Sequence, residues 1–260
     1  MRTLICTAFF VAMALSTIVS SYAQDAGAQR KVAVNGVEYG FRFCPAGTFD
    51  MGSPSDEARR ERDEVQHQVT FTQGFWMQET EVTQAMWNSV MDANPSRFQG
   101  DDNPVENVSW NDFQTFVEKL NALKVAPEGY EFALPTEAQW EYACRAGTTD
   151  ALYGALDEIA WHETNSGAKT HPVATKAANA WGIFDMIGNV SEWVADAKGA
   201  YPTEAVTDPV NPGAERSDRV TRGGSYDDDA EDCRAAARSD EEPGDRDEEV
   251  GGRLALVRVN

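Results

Sequence analysis

The amino-acid sequence predicts an α+β domain with much irregular structure. Three observations carry that expectation. Apolar and polar residues alternate in places between Val32 and Phe43, and Val69-Thr-Phe-Thr and Phe75-Trp-Met-Gln also read as strand. Thr83, Ser109 and Thr136 each stand at the head of a segment with helical spacing. From Thr148 onward helix signals fade and turn residues dominate.

Taken in order, Met1-Arg2 precedes an apolar run from Leu4 to Val19, and Ser21 and Ala23 fit the small-residue rule before a cleavage point. Residues 1–23 read as a secretory signal peptide, because the run falls short of the ~20 apolar residues of a membrane span. The expectation is an exported chain, periplasmic or extracellular, that is not embedded in a membrane. Residues 24–40 read as a linker and first strand, and 41–260 as one domain. The charged segment Asp56 to Glu64 reads as an exposed loop or short helix. Thr83 to Met91 spaces Met86, Val90 and Met91 along one helical face, and the helix after Ser109 has an apolar stripe of Phe113, Phe116, Val117 and Leu120. In the third helix Thr136 suits the N-cap, Gln139 completes a capping box, and Trp140 with Ala143 points inward.

The 260 residues carry a formal net charge of −21. That argues against nucleic acid as a partner, which wants a basic face. The mean hydropathy of −0.49 accompanies seven tryptophans and twelve phenylalanines, enough for a core. The histidines His67, His162 and His171 lack zinc-type spacing and read as structural.

The densest stretch is Trp181-Gly-Ile-Phe-Asp-Met-Ile-Gly-Asn-Val-Ser-Glu-Trp193. Its apolar anchors demand a core, and among them sit Gly182, Gly188 and the oxygen donors Asp185, Asn189 and Glu192. Such donors in a turn either cap the turn or bind a hard cation such as calcium. This stretch resembles the signature of the formylglycine-generating enzyme family (sulfatase-modifying factor domains). Pro45-Ala-Gly-Thr-Phe-Asp-Met-Gly-Ser53, Glu79-Thr-Glu-Val-Thr-Gln84, Pro104-Val-Glu-Asn-Val-Ser-Trp110, Leu134-Pro-Thr-Glu-Ala-Gln-Trp-Glu-Tyr-Ala-Cys-Arg-Ala-Gly147 and Arg222-Gly-Gly-Ser-Tyr226 followed by Arg234-Ala-Ala-Ala-Arg-Ser239 resemble its other blocks, in the family's order.

The resemblance implies a variant of the C-type-lectin-like fold. It also implies a structural calcium site made by the Asp185 and Glu192 side chains with the Gly188 and Val190 carbonyls. The family's oxidases bind copper through Cys-x4-Cys just after the Arg-Gly-Gly-Ser-Tyr block, since soft Cu(I) calls for two thiolates. Here Asp227 to Cys233 offers one cysteine. Counted forward from Tyr226, Cys233 stands at the second copper position and Asp228 at the first, whereas counting back from Arg238 gives neither match; with one cysteine where two are required, copper is not expected. Cys233 remains the sole candidate catalytic residue. The resemblance also pairs Cys144 with a C-terminal cysteine, where Leu254 stands in this chain. Bridges Cys44–Cys144 and Cys144–Cys233 both stay open.

Between Asp227 and Glu249 lie twelve carboxylates. In this fold the region faces the ligand, and in the branch that diversifies it for ligand display these positions are often asparagine-rich. Tyr226, Asp227, Asp228, Asp229, Glu231, Asp232, Asp240, Glu241, Glu242 and Arg246 are the expected ligand-binding residues. They form either a recognition face for a basic peptide, a cation or an amine, or a solvated loop with local ion pairs. The functional expectation is a ligand- or protein-binding module of the family. The alternative is a formylglycine-generating oxidase or another periplasmic modifying enzyme acting on an exported polypeptide.

Overall fold

The structure is a computed structural model that describes residues 24–259. The expected signal peptide, residues 1–23, lies outside the described residues. The chain opens with β1 (Gln29–Val34) and β2 (Val37–Cys44), paired antiparallel. The sequence reading took Val32 to Phe43 as one strand. Asn35 and Gly36 instead take φ of 49° and 89°, the left-handed turn that a two-residue Asn-Gly hairpin requires. Residues 29–40 are thereby built into the domain's largest sheet.

Next come β3 (Gly47–Met51), β4 (His67–Phe71) and β5 (Phe75–Gln78). Asp56 to Glu64, between β3 and β4, is a loop of turns without a helix. Helix α1 (Gln84–Asn88) starts where the Thr83 hydroxyl accepts the Met86 N–H. Helix α2 (Trp110–Ala122) has the full capping box of Ser109 and Asp112, and it buries Phe113, Phe116, Val117 and Leu120. Those four side chains contribute about 1.5–3 kcal/mol each. After β6 (Tyr130–Ala133), α3 (Glu137–Arg145) is capped by Thr136 with Gln139 and ends on Ala146 at φ 44°. Its side chains from Trp140 to Arg145 are all buried.

The segment after Thr148 is richer than its turn signals suggest. It holds two one-turn helices, α4 (Leu156–Ile159) and α5 (Glu163–Ser166), and then β7 (Ser191–Ala197), β8 (Val206–Thr207), β9 (Arg219–Arg222), β10 (Arg238–Glu241), β11 (Val250–Gly252) and β12 (Ala255–Arg258). These strands are two to seven residues long; β7, β9 and β11 are buried on both faces and so lack the alternation that marks a strand in sequence, and β8 is too short to show one.

The strands form three sheets, ordered β1-β2-β5-β12-β6, β10-β9-β7-β11 and β3-β4-β8. One apolar cluster gathers Phe41, Trp76, Trp87, Phe113, Phe116, Trp193 and Leu256 under α2. A second gathers Phe71, Phe75, Trp140, Tyr142, Ile183 and Met186 under α3. The signature stretch joins the two, since Trp193 belongs to the first and Ile183, Met186 and Val194 to the second. Among the described residues no helix is long and apolar enough to cross a membrane.

Candidate functional site

Two parts of the molecule concentrate chemistry: the turn that carries the signature, and a cleft beside β9 and β10.

In the turn, Asp185 and Asn189 sit at φ of 51° and 63°, the left-handed region that Asx residues tolerate best after glycine. Asp185 Oδ2 accepts the Ala174 N–H at 2.6 Å, and Asn189 Oδ1 accepts the His171 N–H at 2.9 Å. Both residues therefore act as turn caps. Glu192 points the other way. Arg253 donates Nη2–H to its Oε1 at 2.6 Å and Nε–H to its Oε2 at 2.7 Å, and Trp140 Nε1–H reaches Oε2 at 2.7 Å. Arg253 also donates to the Phe184 and Asp185 carbonyls. Glu81 completes the cluster, with Oε1 accepting from Asn189 at 3.1 Å. Glu81 Oε2 and Asp185 Oδ1 are buried without a partner. Burial, more than the neighbouring carboxylates, pushes Glu81 well above the usual carboxylate range, and burial likewise pushes Asp185 up to about 6.

The calcium set implied by resemblance can be tested against this geometry. Both Glu192 oxygens are taken, and one Asp185 oxygen is taken, so the set keeps a single free carboxylate oxygen, Asp185 Oδ1. The Arg253 guanidinium already supplies the positive charge at Glu192. Among the described residues no three His, Cys, Asp or Glu side chains converge as metal ligands. As arranged, Asp185, Gly188, Val190 and Glu192 do not make a calcium cage.

The histidines all find roles in packing or turns. The His67 ring bonds the Val65 carbonyl at 3.0 Å, His162 pairs with Asp157 at 2.8 Å, and His171 donates to the Ser166 carbonyl at 2.6 Å while stacking on Trp161.

The cleft has a volume of about 330 Å³. Its floor is Ser191, Thr221, Gly223 and Gly224, and its walls are Glu61, Asp228, Asp232, Ser239 and Asp240 with Lys198 and Arg238. Gly223 and Gly224 take φ of 100° and 68°, and a Cβ on Gly224 would stand 3.1 Å from the Cys233 sulfur, so the backbone can turn here only as glycine. The two cations are already held. Lys198 lies 3.0 Å from Asp63 and 3.1 Å from Asp240, and Arg238 pairs with Glu137 at 2.8 Å. Glu61, Asp228 and Asp232 have no cation of their own among the described residues. Burial, then the charges of Asp228, Asp229 and Glu61, raises Asp232 above the usual carboxylate range.

The sequence-predicted ligand residues divide. Asp228, Asp232 and Asp240 line the cleft. Tyr226 is buried with its ring edge-on to Phe98 at 5.4 Å and does not line the cleft. Asp227 is exposed beside it. Asp229 caps the following turn, taking the Glu231 N–H at 2.7 Å, while Glu231 pairs with Arg59. Arg246 holds Asp112 through two bonds of 2.7 and 2.9 Å, away from the cleft. Glu241 and Glu242 do not line the cleft either. Sequence reasoning missed Glu61, Lys198, Thr221 and Ser239. Of these only Glu61 carried a signal, as a member of the charged 56–64 loop. Arg234 fixes that loop, bonding Glu57 at 2.7 Å and Glu64 at 2.7 Å.

Cys233 lies next to the cleft but closed to it. It is fully buried, and its thiol is pushed up to about 12 by burial and by the charges of Asp228, Asp232 and Asp229. A nucleophilic or metal-binding cysteine needs the opposite setting. Cys44 and Cys144 are also buried, and all three cysteines are free thiols, so neither expected bridge is formed.

Comparison with known proteins agrees with this architecture. The family model for the sulfatase-modifying factor enzyme 1-like domain matches residues 29–258. A chaperone protein, LppX, of Paenibacillus barcinonensis is 30% identical over 206 residues, covering 58% of this chain and 69% of that protein. The formylglycine-generating enzyme of Mus musculus is 29% identical over 211 residues, covering 73% of this chain and 53% of the enzyme. The chain thus spans about half the length of that enzyme. Among solved structures, Treponema denticola variable protein 1 superposes with a TM-score of 0.77 at 30% identity, over 87% of this chain and 98% of that one. PvdO from Pseudomonas aeruginosa superposes with a TM-score of 0.78 at 26% identity, over 91% of this chain and 100% of that one. With the family model covering all the sheets from β1 to β12, the chain belongs to the sulfatase-modifying factor (formylglycine-generating enzyme) family, in its C-type-lectin-like α+β fold.

Proposed function

We propose that this protein is an exported binding module of the family, and that its cleft takes a lysine or arginine side chain, or another amine, from a polypeptide ligand. The observation that carries this reading is the charge imbalance of the cleft. Glu61, Asp228 and Asp232 line it without a counter-ion, while Lys198 and Arg238 are bound to other partners. Carboxylates crowded at a part-buried surface repel one another until a cation joins them. Thr221, only 2% exposed, adds a hydroxyl at the floor. A relative named as a chaperone supports a polypeptide as the ligand.

The alternative, a formylglycine-generating oxidase, is supported by the names of several relatives. The cysteine count opposes it. One cysteine stands where the resemblance requires two soft thiolates, and burial pushes the Cys233 thiol up to about 12.

One experiment separates the two. The purified protein is titrated with lysine- and arginine-containing peptides by calorimetry at low and high salt, beside a Asp228→Asn/Asp232→Asn double variant. Mass spectrometry then follows a Cys-x-Pro-x-Arg peptide incubated with the protein, Cu(I), oxygen and reductant. Binding that weakens with salt and is lost in the double variant, with the peptide cysteine unchanged, is the expected result. Conversion to formylglycine that disappears in Cys233→Ser would overturn the proposal.

A further inference from the structure

We infer that a smaller pocket next to the cleft is a separate binding site for a single aromatic ring bearing one N–H or O–H donor. The pocket encloses about 170 Å³ behind Arg238, between β4, the start of α3 and the 199–211 loop. At about 30 Å³ per water it would hold some five waters, and it falls below the ~300 Å³ where drug-sized ligands begin. Its occupant is therefore ring-sized.

The walls set the chemistry of that occupant. Met51, Pro202, Pro209 and Val210 make most of the lining apolar. His67 and Tyr201 offer two rings with centroids 4.9 Å apart, inclined at 58°. Tyr201 is held rigid, because the Arg238 guanidinium covers its ring at 3.9 Å and its hydroxyl donates to Glu137 at 2.8 Å. A rigid aromatic corner favours an aromatic guest through edge-to-face contacts.

The charged groups around the pocket are already engaged. Glu137 gives both oxygens to Arg238, each at 2.8 Å. Asp196 accepts the Glu137 N–H at 2.8 Å and the Asn211 N–H at 2.7 Å. The basic ligand proposed for the neighbouring cleft thus has no free carboxylate to meet here. One polar atom is left over. His67 is 7% exposed, and its Nδ1 lies 3.0 Å from the Val65 carbonyl. A carbonyl only accepts, so the proton of the neutral ring sits on Nδ1 and Nε2 is an acceptor. Among the described residues Nε2 has no protein partner, and since it is not one of the buried orphaned atoms it stays open to solvent or to an incoming donor. A donor on the guest ring satisfies it.

Such a ring can arrive as a free phenol or indole, or as a tyrosine or tryptophan side chain of a bound polypeptide, and the test distinguishes them. The full-length mature protein is titrated by NMR with phenol, indole and toluene, and with N-acetyl-tyrosine amide inside a short neutral peptide. Phenol and indole are expected to saturate one site, and toluene to bind about tenfold more weakly, the loss of one hydrogen bond. His67→Phe should bring phenol to the toluene level. Ala200→Phe, which fills the pocket from an exposed rim position, should abolish binding while circular dichroism stays unchanged. The Asp228→Asn/Asp232→Asn variant should leave phenol binding intact, so this site stands or falls apart from the acidic cleft. Saturation by free phenol assigns a small molecule, and saturation by the peptide alone assigns a polypeptide side chain. Equal binding of phenol and toluene, binding that survives Ala200→Phe, or no binding by any of these probes would overturn the inference.

Discussion

Arg253 holds Glu192 through two bonds, of 2.6 and 2.7 Å, with neither side chain more than 1% exposed. The pair ties the signature turn to the run between β11 and β12, because the same guanidinium donates to the carbonyls of Gln78, Phe184 and Asp185. Removing one partner leaves a buried charge that nothing compensates. Arg253→Met should therefore cost about 3–5 kcal/mol, read as a shift in the urea midpoint. A loss below about 1 kcal/mol would mean that Glu192 is held by something other than Arg253.

The same pair sets the response to calcium. Since the guanidinium stands at Glu192 already, EDTA and millimolar calcium should leave the melting temperature unchanged. A ligand that binds the native state must raise it. A calcium-dependent rise of several degrees, abolished by Asp185→Asn, would show that Glu192 releases Arg253 to the metal.

Cys44, Cys144 and Cys233 are buried, and burial pushes Cys144 and Cys233 up to about 12 and Cys44 higher still. Alkylation requires the thiolate. At pH 8 iodoacetamide should add nothing to the folded protein within an hour and label these cysteines once urea is present, as followed by intact mass. Rapid native labelling of Cys233 would point to an open, reactive site.

The pH dependence of stability follows from carboxyls held neutral. Glu106 is fully buried; Oε1 accepts the Phe98 N–H at 2.8 Å, and Oε2 has no partner. Burial pushes it up to about 7, and burial pushes Asp196 to about 6. A carboxyl whose folded value lies above its unfolded one binds protons more tightly in the native state. Its contribution is present in full below the unfolded value near 4.5 and is lost as pH rises through 7. Asp112, lowered to about 2 by Arg246, acts in the opposite sense, but only at pH below about 4. Thermal stability should fall between pH 5 and pH 8, and Glu106→Gln should flatten part of that slope. A wild-type curve that rises with pH across the window would refute the assignment.

The helices were legible because their signals are local. Thr83, Ser109 and Thr136 cap the ends they were expected to cap, and the Phe113–Leu120 stripe faces the core. The hairpin break at Asn35-Gly36 was equally local, and was passed over because the flanking alternation runs through it. The strands after Thr148 were hidden for a different reason. Arg219 to Arg222 is buried on both faces; Arg222 pairs with Glu141 of α3 and Arg219 donates to the Ala195 and Pro212 carbonyls, so its sequence reads as polar surface. The cleft was half legible. Asp228 and Asp232 stood out as a charge run, whereas Lys198 and Thr221 join them through pairing of distant strands that no short-range pattern encodes.

The order of strands in the largest sheet governs how the chain reaches this state. The last strand, β12, lies between β5 and β6, with Leu256 opposite Trp76 on one side and Phe132 on the other. Until residues 255–258 arrive, those two strands expose open edges, and the cluster of Trp76, Phe132 and Leu256 lacks its centre. A chain emerging N-terminus first from a ribosome thus cannot close its main sheet before residues 255–258 appear. Its pairing spans some 180 residues between β5 and β12, which makes folding slow and late. The fold therefore keeps the polypeptide pliable while it emerges, and locks it only once residues 255–258 have joined β5 and β6.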